Sequence, residues 1–582
     1  MEKQHELPFW FTQNAEARLR LLYGDPNTPD LMNRLIDKTL AFIEKYPPTP
    51  KEQWSEQDAI LITYGDSVTQ PGQSPLTTMH EFIELHLIDA VNAIHILPFF
   101  PYSSDDGFAV IDYREVNSKL GEWRDIERIA KDFGLMTDLV INHVSSESAW
   151  FKKYLADENP ESNYFIEADP DADYSQVMRP RTSPLLTEIK TGQKKRHVWT
   201  TFSADQIDLD FGNPDVLFEM IDILLLYISK GSRFIRLDAV AFLWKKSETR
   251  CIHLRETHEI VKLFRDIINV AAPGTLLITE TNVPHWENLS YFGVSDEAHM
   301  VYQFALPPLL LHSLFQGDAT HLTEWAMTIT RPPKRCTFFN FIASHDGIGL
   351  RPIEGMLPEQ EIQELVEAMR GRGGFVSMKA NEDGSETPYE INISLFNALG
   401  TTHTGETAYR AQRFICAHAI MLALQGIPGV YIHSFFATPN DIKGVNQTGQ
   451  SRSINRRRWN YQELLSLLTD ETTPHAKLFA QQKQLLVTRR RQPAFHPEAD
   501  QKTLPVNNPC VFAFWRTSMD KLQNILVIAN CSEKTQAFEL PPRASNHGYR
   551  IWRDLIAHRI VESSTETIRL APYQTVWLEA LD

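Results

Sequence analysis

"RFIRLDAVAF", residues 233–242, sets Arg236 and Asp238 into an apolar run of the length of one strand. Alternation along a strand points these two side chains the same way, and a charge inside a packed core is costly unless it is paired. Both charges therefore belong at the strand's end, beside a site and outside the packed core.

Seven further β-rich runs accompany this one, separated by longer helical stretches. They are AILITYGD from Ala59, VNAIHILPF from Val91, LMTDLVINH from Leu135, TLLITETN from Thr275, MVYQFALP from Met300, TFFNFIASHD from Thr337 and GVYIHS from Gly429. Eight such runs predict an α/β protein built on a parallel (β/α)8 barrel. Residues 57–145, 206–349 and 406–499 supply its first, middle and last parts. The intervals 146–205 and 350–405, the second holding GRGGF and NEDGS, exceed a simple helical crossover and predict insertions after the third and seventh strands that roof the barrel mouth. Residues 1–56, with ARLRLLYGD and LMNRLIDKTLAFIEKY before PPTP, predict a helical N-terminal extension. Residues 500–582, with VFAFWRT, NILVIAN and TVWLEA, predict a small all-β domain.

A chain of 582 residues, 42% hydrophobic and 10% aromatic, buries a large core. Its net charge of -17 argues against nucleic acid or an anionic membrane surface as the main partner. Five scattered cysteines without a CxxC pair suit reduced thiols, and the start MEKQHELPFWF lacks an apolar signal region. No stretch nears about 18 uninterrupted apolar residues, so the expected location is the cytoplasm. Cys251, His253 and His258 lack a second ligand pair, which leaves them on a loop and helix face with no metal expected. GRGGF lacks the lysine and strand-to-helix setting of a phosphate loop, so no organic cofactor is implied. The basic runs at 456–458 and 489–491 read as solvated faces, Arg456 excepted.

The polar residues gather at strand ends, where a barrel of this kind builds its active site. Asp105 and Asp106 follow the second strand, His143 ends the third, and Arg236 and Asp238 end the fourth. Glu280 ends the fifth, and His345 with Asp346 end the seventh. Helix caps have no reason to recur at four strand ends that converge on one mouth. Asp238 and Glu280 form a carboxyl pair of the kind retaining glycoside chemistry requires, one ionised and one protonated, with Arg236 holding Asp238 anionic.

The motifs LITYGD, ILPFFPYSSDDGFAVIDY, INHVSSES, RPR, QIDLD, RLDAV, ITETN, FALPPLLLH, SHDGIG, PYEIN and SINR run over most of the chain. Together they resemble the α-amylase superfamily of retaining glycosidases and, within it, the sucrose-phosphorylase group. The resemblance implies Asp238 as nucleophile, Glu280 as general acid/base and Asp346 as the carboxylate that stabilises the transition state. It implies that Asp105, His143, Arg236, His345 and Arg456 bind a donor glucose, that Phe108 and Phe202 wall it, and that Gln206 offers a polar contact. Arg181, in RPR, matches an arginine that meets phosphate.

Tyr389 is followed by Glu390 where that group typically carries glutamine, and Phe242 stands where tyrosine is frequent. These departures, the N-terminal extension and ITETNVPH resemble the glucosylglycerate phosphorylase branch, whose substrates are an α-glucoside, inorganic phosphate and glycerate. Arg372 and Lys379 are the expected carboxylate partners in its acceptor loop, beside Tyr389 and Glu390. The same three carboxylates also suit sucrose, sucrose 6'-phosphate or glucosylglycerol as substrate, or a hydrolase or transglucosidase. A pure binding protein has no need of a matched nucleophile and acid.

Overall fold

The eight runs form the strands β1 (Ile60–Thr63), β2 (Ala93–Ile96), β3 (Gly134–Val140), β4 (Ser232–Asp238), β5 (Leu276–Thr279), β6 (Met300–Tyr302), β7 (Thr337–Asn340) and β8 (Ile427–Tyr431). The structure is a computed structural model and describes residues 6–49, 53–191, 194–380, 385–540, 550–563 and 567–581. Each strand pairs in parallel with its neighbours, and β8 returns to β1, so the sheet closes. Closure buries both faces of every strand, which explains continuous apolar runs rather than alternation. The crossover helices carry ordinary start signals. Before the helix Pro214–Ser229, for instance, the Asn213 side chain accepts the Asp215 N–H and proline occupies the first turn.

One chain of charges breaks the apolar interior. Asp138 on β3 lies opposite Arg236 on β4. Its carboxylate also takes His95 Nε2 of β2 at 2.7 Å, and all three side chains are buried. Burial pushes the Asp138 carboxyl up, but His95 and Arg236 outweigh it and bring it down to about 2. Arg236 therefore enters the mouth already oriented.

Helices α1 (Phe9–Tyr23) and α2 (Thr28–Lys45) lie against the barrel's outer helices. Phe11, Ala15 and Leu19 bury one stripe of α1, at the spacing that makes one helix face. Arg18 on the same helix meets Glu259 at 2.8 Å and Asp266 at 3.0 Å.

Between β3 and β4 the interval holds a helix, Ala149–Leu155, and the hairpin Leu186–Thr191 with Lys194–Trp199. Between β7 and β8 it holds the helix Glu359–Gly371 and the hairpin Phe375–Ala380 with Glu386–Asn392. Residues 381–384 of the NEDGS turn lie outside the described residues. After residue 500 a six-stranded antiparallel sheet follows, beginning Asp500–Thr503, Val511–Thr517 and Asn524–Asn530.

One reading is corrected. Arg489, expected on a solvated face, is fully buried and donates to the carbonyls of Leu422 at 2.8 Å, Glu56 at 2.6 Å and Gly426 at 3.2 Å. Its guanidinium thereby ties the approaches to β1 and β8 together through their backbone carbonyls.

Candidate active site

Asp238 closes β4, Glu280 follows β5, and the turn after Asp238 joins them. Ala239 adopts φ 51°, a left-handed conformation that costs an alanine about 1–2 kcal/mol. That turn aims the Ala239 N–H at Glu280 Oε2, 3.1 Å away. Strain at this position is repaid by a fixed geometry between the two carboxyls. Arg236 spans the same pair, with Nη1 2.8 Å from Asp238 Oδ1 and Nη2 4.0 Å from Glu280 Oε2.

Burial dominates at both carboxyls and pushes both up, Asp238 well above the usual range, while Arg236 pulls each down; Glu280 raises Asp238 again and Asp346 raises Glu280. Two such groups hold one proton between them far more readily than an isolated carboxyl does. Arg236 hydrogen-bonds Asp238 and stands farther from Glu280, so its geometry favours the charged form more at Asp238, against the larger upward push that burial gives that carboxyl. Asp346 behaves differently. Burial pushes it up, but Arg452 at 2.7 Å, helped by Arg456, holds it well below the usual carboxylate range.

Asp105, Phe108, His143, Phe202, Gln206 and His345 line the same pocket as these three carboxyls. Phe108 stacks on His345 with ring centres 4.9 Å apart, and Phe202 meets His143 at 5.2 Å and Phe242 at 5.5 Å. His143 Nε2 donates to the Phe108 carbonyl at 2.9 Å. Burial lowers both histidines, so both are neutral near pH 7. Asp105 and Asp106 adopt φ 52° and 47°, and Arg456 pins that turn through Asp106 at 2.7 Å. Arg456 also donates to the His345 carbonyl at 3.0 Å. It stands behind the pocket wall rather than in it, as does Arg236.

Arg181 also lines the pocket, with its guanidinium 5.4 Å over the Tyr389 ring. The other loop residues are arranged differently from the sequence expectation. Arg372 is ion-paired with Glu406, and Lys379 lies 2.5 Å from Glu354; neither lines the pocket. Glu390 is buried behind Tyr389 and takes Arg452 through two hydrogen bonds, of 3.1 and 2.7 Å. It thereby holds the arginine that holds Asp346.

Sequence reasoning missed Arg452, Arg351, Asp138 and His95. Arg452 lies in the short 3-10 turn Ser451–Asn455 and points four residues from Arg456, a helical spacing that marks both as neighbours. Asp138 was visible as a lone acid within the apolar LMTDLV.

The pocket, counted together with the solvent at its open mouth, measures about 700 Å³. It offers two carboxyls bridged by Arg236, a third held ionised by Arg452, and the arginines Arg181, Arg351 and Arg452. Such a site can displace a group at an acetal carbon and pass the carbon to an anion.

The family described as "Alpha amylase, catalytic domain" matches residues 87–348, and "Maltogenic Amylase, C-terminal domain" matches residues 501–577. The chain is 43% identical to a glucosylglycerate phosphorylase of Spirochaeta thermophila over 96% of this chain and 97% of that protein. It is equally 43% identical to a glucosylglycerate phosphorylase of Escherichia coli, over 96% of this chain and 98% of that one. A crystal structure of sucrose 6F-phosphate phosphorylase from Thermoanaerobacter thermosaccharolyticum superposes with a TM-score of 0.71 at 24% identity, covering 84% of this chain and 96% of that one. At that identity the superposition speaks for the barrel fold alone.

Proposed function

This chain belongs to the glucosylglycerate phosphorylase family within the α-amylase superfamily, and we propose that it catalyses reversible phosphorolysis of 2-O-α-glucosylglycerate to α-D-glucose 1-phosphate and D-glycerate. The observation that carries this reading is that one pocket is lined by three carboxyls, Asp238, Glu280 and Asp346, and by three arginines, Arg181, Arg351 and Arg452. A hydrolase needs only the carboxyls. A phosphorylase whose leaving group and nucleophile are both anions needs the arginines as well.

In the first step the Asp238 carboxylate attacks the anomeric carbon while Glu280 delivers its proton to the departing glycerate oxygen. This leaves a β-linked glucosyl ester on Asp238. Asp346 stays ionised and offsets the positive charge that develops on the sugar ring. In the second step a phosphate oxygen attacks the same carbon from the vacated side, Glu280 takes up the phosphate proton, and Asp238 is released. Two inversions return the α configuration. Arg181 offsets the repulsion that phosphate meets on approaching three carboxyl groups.

The reading gives Asp105, Phe108, His143, Phe202, Gln206 and His345 to the glucose, with Arg236 and Arg456 as residues that fix this wall. It divides the chain into a helical extension (1–56), three barrel segments (57–145, 206–349 and 406–499), two roofing insertions (146–205 and 350–405) and a β domain (500–582). It places the enzyme in the cytoplasm, acting on small molecules. The test is to incubate the protein with α-D-glucose 1-phosphate and D-glycerate, fructose or glycerol in turn, and to measure released phosphate. Fastest release with D-glycerate, and an α-linked product by NMR, are expected; preference for fructose or glycerol would overturn the glycerate assignment.

A further inference from the structure

We propose that Arg351 is the specificity-determining cation of the acceptor subsite, the group that holds the carboxylate of glycerate; this rests on the functional reading above. In 2-O-glucosylglycerate the carboxylate carbon is bonded to the carbon that carries the glycosidic oxygen. Whatever cation holds that carboxylate must therefore stand beside the acid that protonates the oxygen, Glu280.

Among the described residues, three cations line the pocket: Arg181, Arg351 and Arg452. Arg452 is committed to Asp346 at 2.7 Å and to both oxygens of Glu390. Arg181 is half-buried on the loop beyond Met178, and phosphate needs a cation of its own. Arg351 differs from both. It is 4% exposed, and its closest carboxylate, Glu287, stands 3.6 Å away, beyond hydrogen-bond distance. Glu287 is shared with His253 at 3.2 Å, so it balances charge without occupying the guanidinium fork.

The backbone that carries Arg351 is fixed. Ile348 and Gly349 pair with Ile391 and Glu390, and the Leu350 N–H donates to the Tyr389 carbonyl at 2.9 Å. The Tyr389 hydroxyl, pushed up mainly by burial, is pulled down by Arg181 and Arg351 and pushed further by Glu390 and Glu280. Tyr389, Arg181, Arg351 and Glu280 all line the one pocket. A buried arginine with a free fork, held in place before the ligand arrives, reads a carboxylate and discriminates against a neutral alcohol. This role, expected from the sequence of Arg372 or Lys379, falls to Arg351, because both of those cations are ion-paired elsewhere.

The test is initial-rate kinetics in the synthetic direction on wild type, Arg351→Ala and Arg351→Lys, with D-glycerate, glycerol and D-glyceramide as acceptors. Arg351→Ala should raise the KM for D-glycerate about 10- to 100-fold, the range of a charge-assisted hydrogen bond. The KM for α-D-glucose 1-phosphate and the rate with glycerol should stay within about twofold. Arg351→Lys, which keeps the charge beside Glu287, should recover part of the loss. Wild type should disfavour glyceramide by a factor similar to that of the substitution. Parallel losses with glycerate and glycerol would make Arg351 a merely structural residue and overturn the inference. If Arg351→Ala does not fold, the neutral and larger Arg351→Gln variant replaces it, and wild-type preference for glycerate over glyceramide in that variant overturns the inference equally. Glycerate-active wild type with unchanged selectivity in Arg351→Ala sinks this inference alone, whereas a wild type inactive on glycerate sinks the functional reading and this inference with it.

Discussion

At Glu280 burial sets the carboxyl above its usual range, and the sign of the consequence follows. A carboxyl whose folded value exceeds its unfolded value destabilises the fold as pH rises from the unfolded value, about 4.3, through the folded one. Glu280→Gln should therefore stabilise the protein near pH 8, by on the order of 1 kcal/mol, and change it little near pH 4. The same variant should lose about 10²- to 10⁴-fold in turnover. Calorimetry at both pH values beside a rate assay checks this, and equal stabilisation at the two would refute the assignment. Asp346 gives the opposite sign. Arg452 holds it low, so Arg452→Met should raise its pKa and move the acid limb of the kcat/KM profile to higher pH. An unmoved acid limb would detach Asp346 from Arg452. The acids themselves were legible in the sequence because each sits at the end of an apolar run. Arg452 and Arg351 were not, since each lies in a turn-rich stretch with no apolar run to place it at a strand end. Glu390, the partner that gives Arg452 its meaning, lies 62 positions away.

Elements follow a similar rule. β1–β8 were readable because closure buries both faces of each strand and leaves a run dense in Ile, Leu, Val and Phe. The stripe of α1 was readable because Phe11, Ala15 and Leu19 repeat at helical spacing. Its partner surface was not, since Glu259 and Asp266 lie about 240 residues downstream of Arg18. Because α1 packs on the barrel's outside and the pocket opens at the strand ends, Leu19→Ala should cost about 2–5 kcal/mol and leave KM and kcat per folded molecule unchanged. Denaturant unfolding with a parallel rate assay decides it. A changed KM would mean that the extension reaches the site.

For the whole molecule the question is whether barrel and C-terminal sheet fold as one. Alternation within the sheet answers it. On the strands Val511–Thr517 and Asn524–Asn530, Phe512, Phe514, Ile525 and Val527 join the same apolar core as the barrel. Val511, Ala513, Leu526 and Ile528 face the other way, into a separate cluster with Trp552. Arg516, fully buried at the junction, donates to the carbonyls of Ala423 at 2.7 Å and His496 at 2.8 Å. Parting the two units would strand that guanidinium without its carbonyls and expose the inner face of the sheet together. The two should therefore unfold in one transition, with loss of activity, loss of far-ultraviolet dichroism and the calorimetric peak coinciding. Arg516→Met should lower the midpoint of that single transition, by about 3 kcal/mol in stability, because it orphans two buried carbonyls at once. Two resolved calorimetric peaks in the wild type, with activity following the later one, would show that the sheet is an independent satellite.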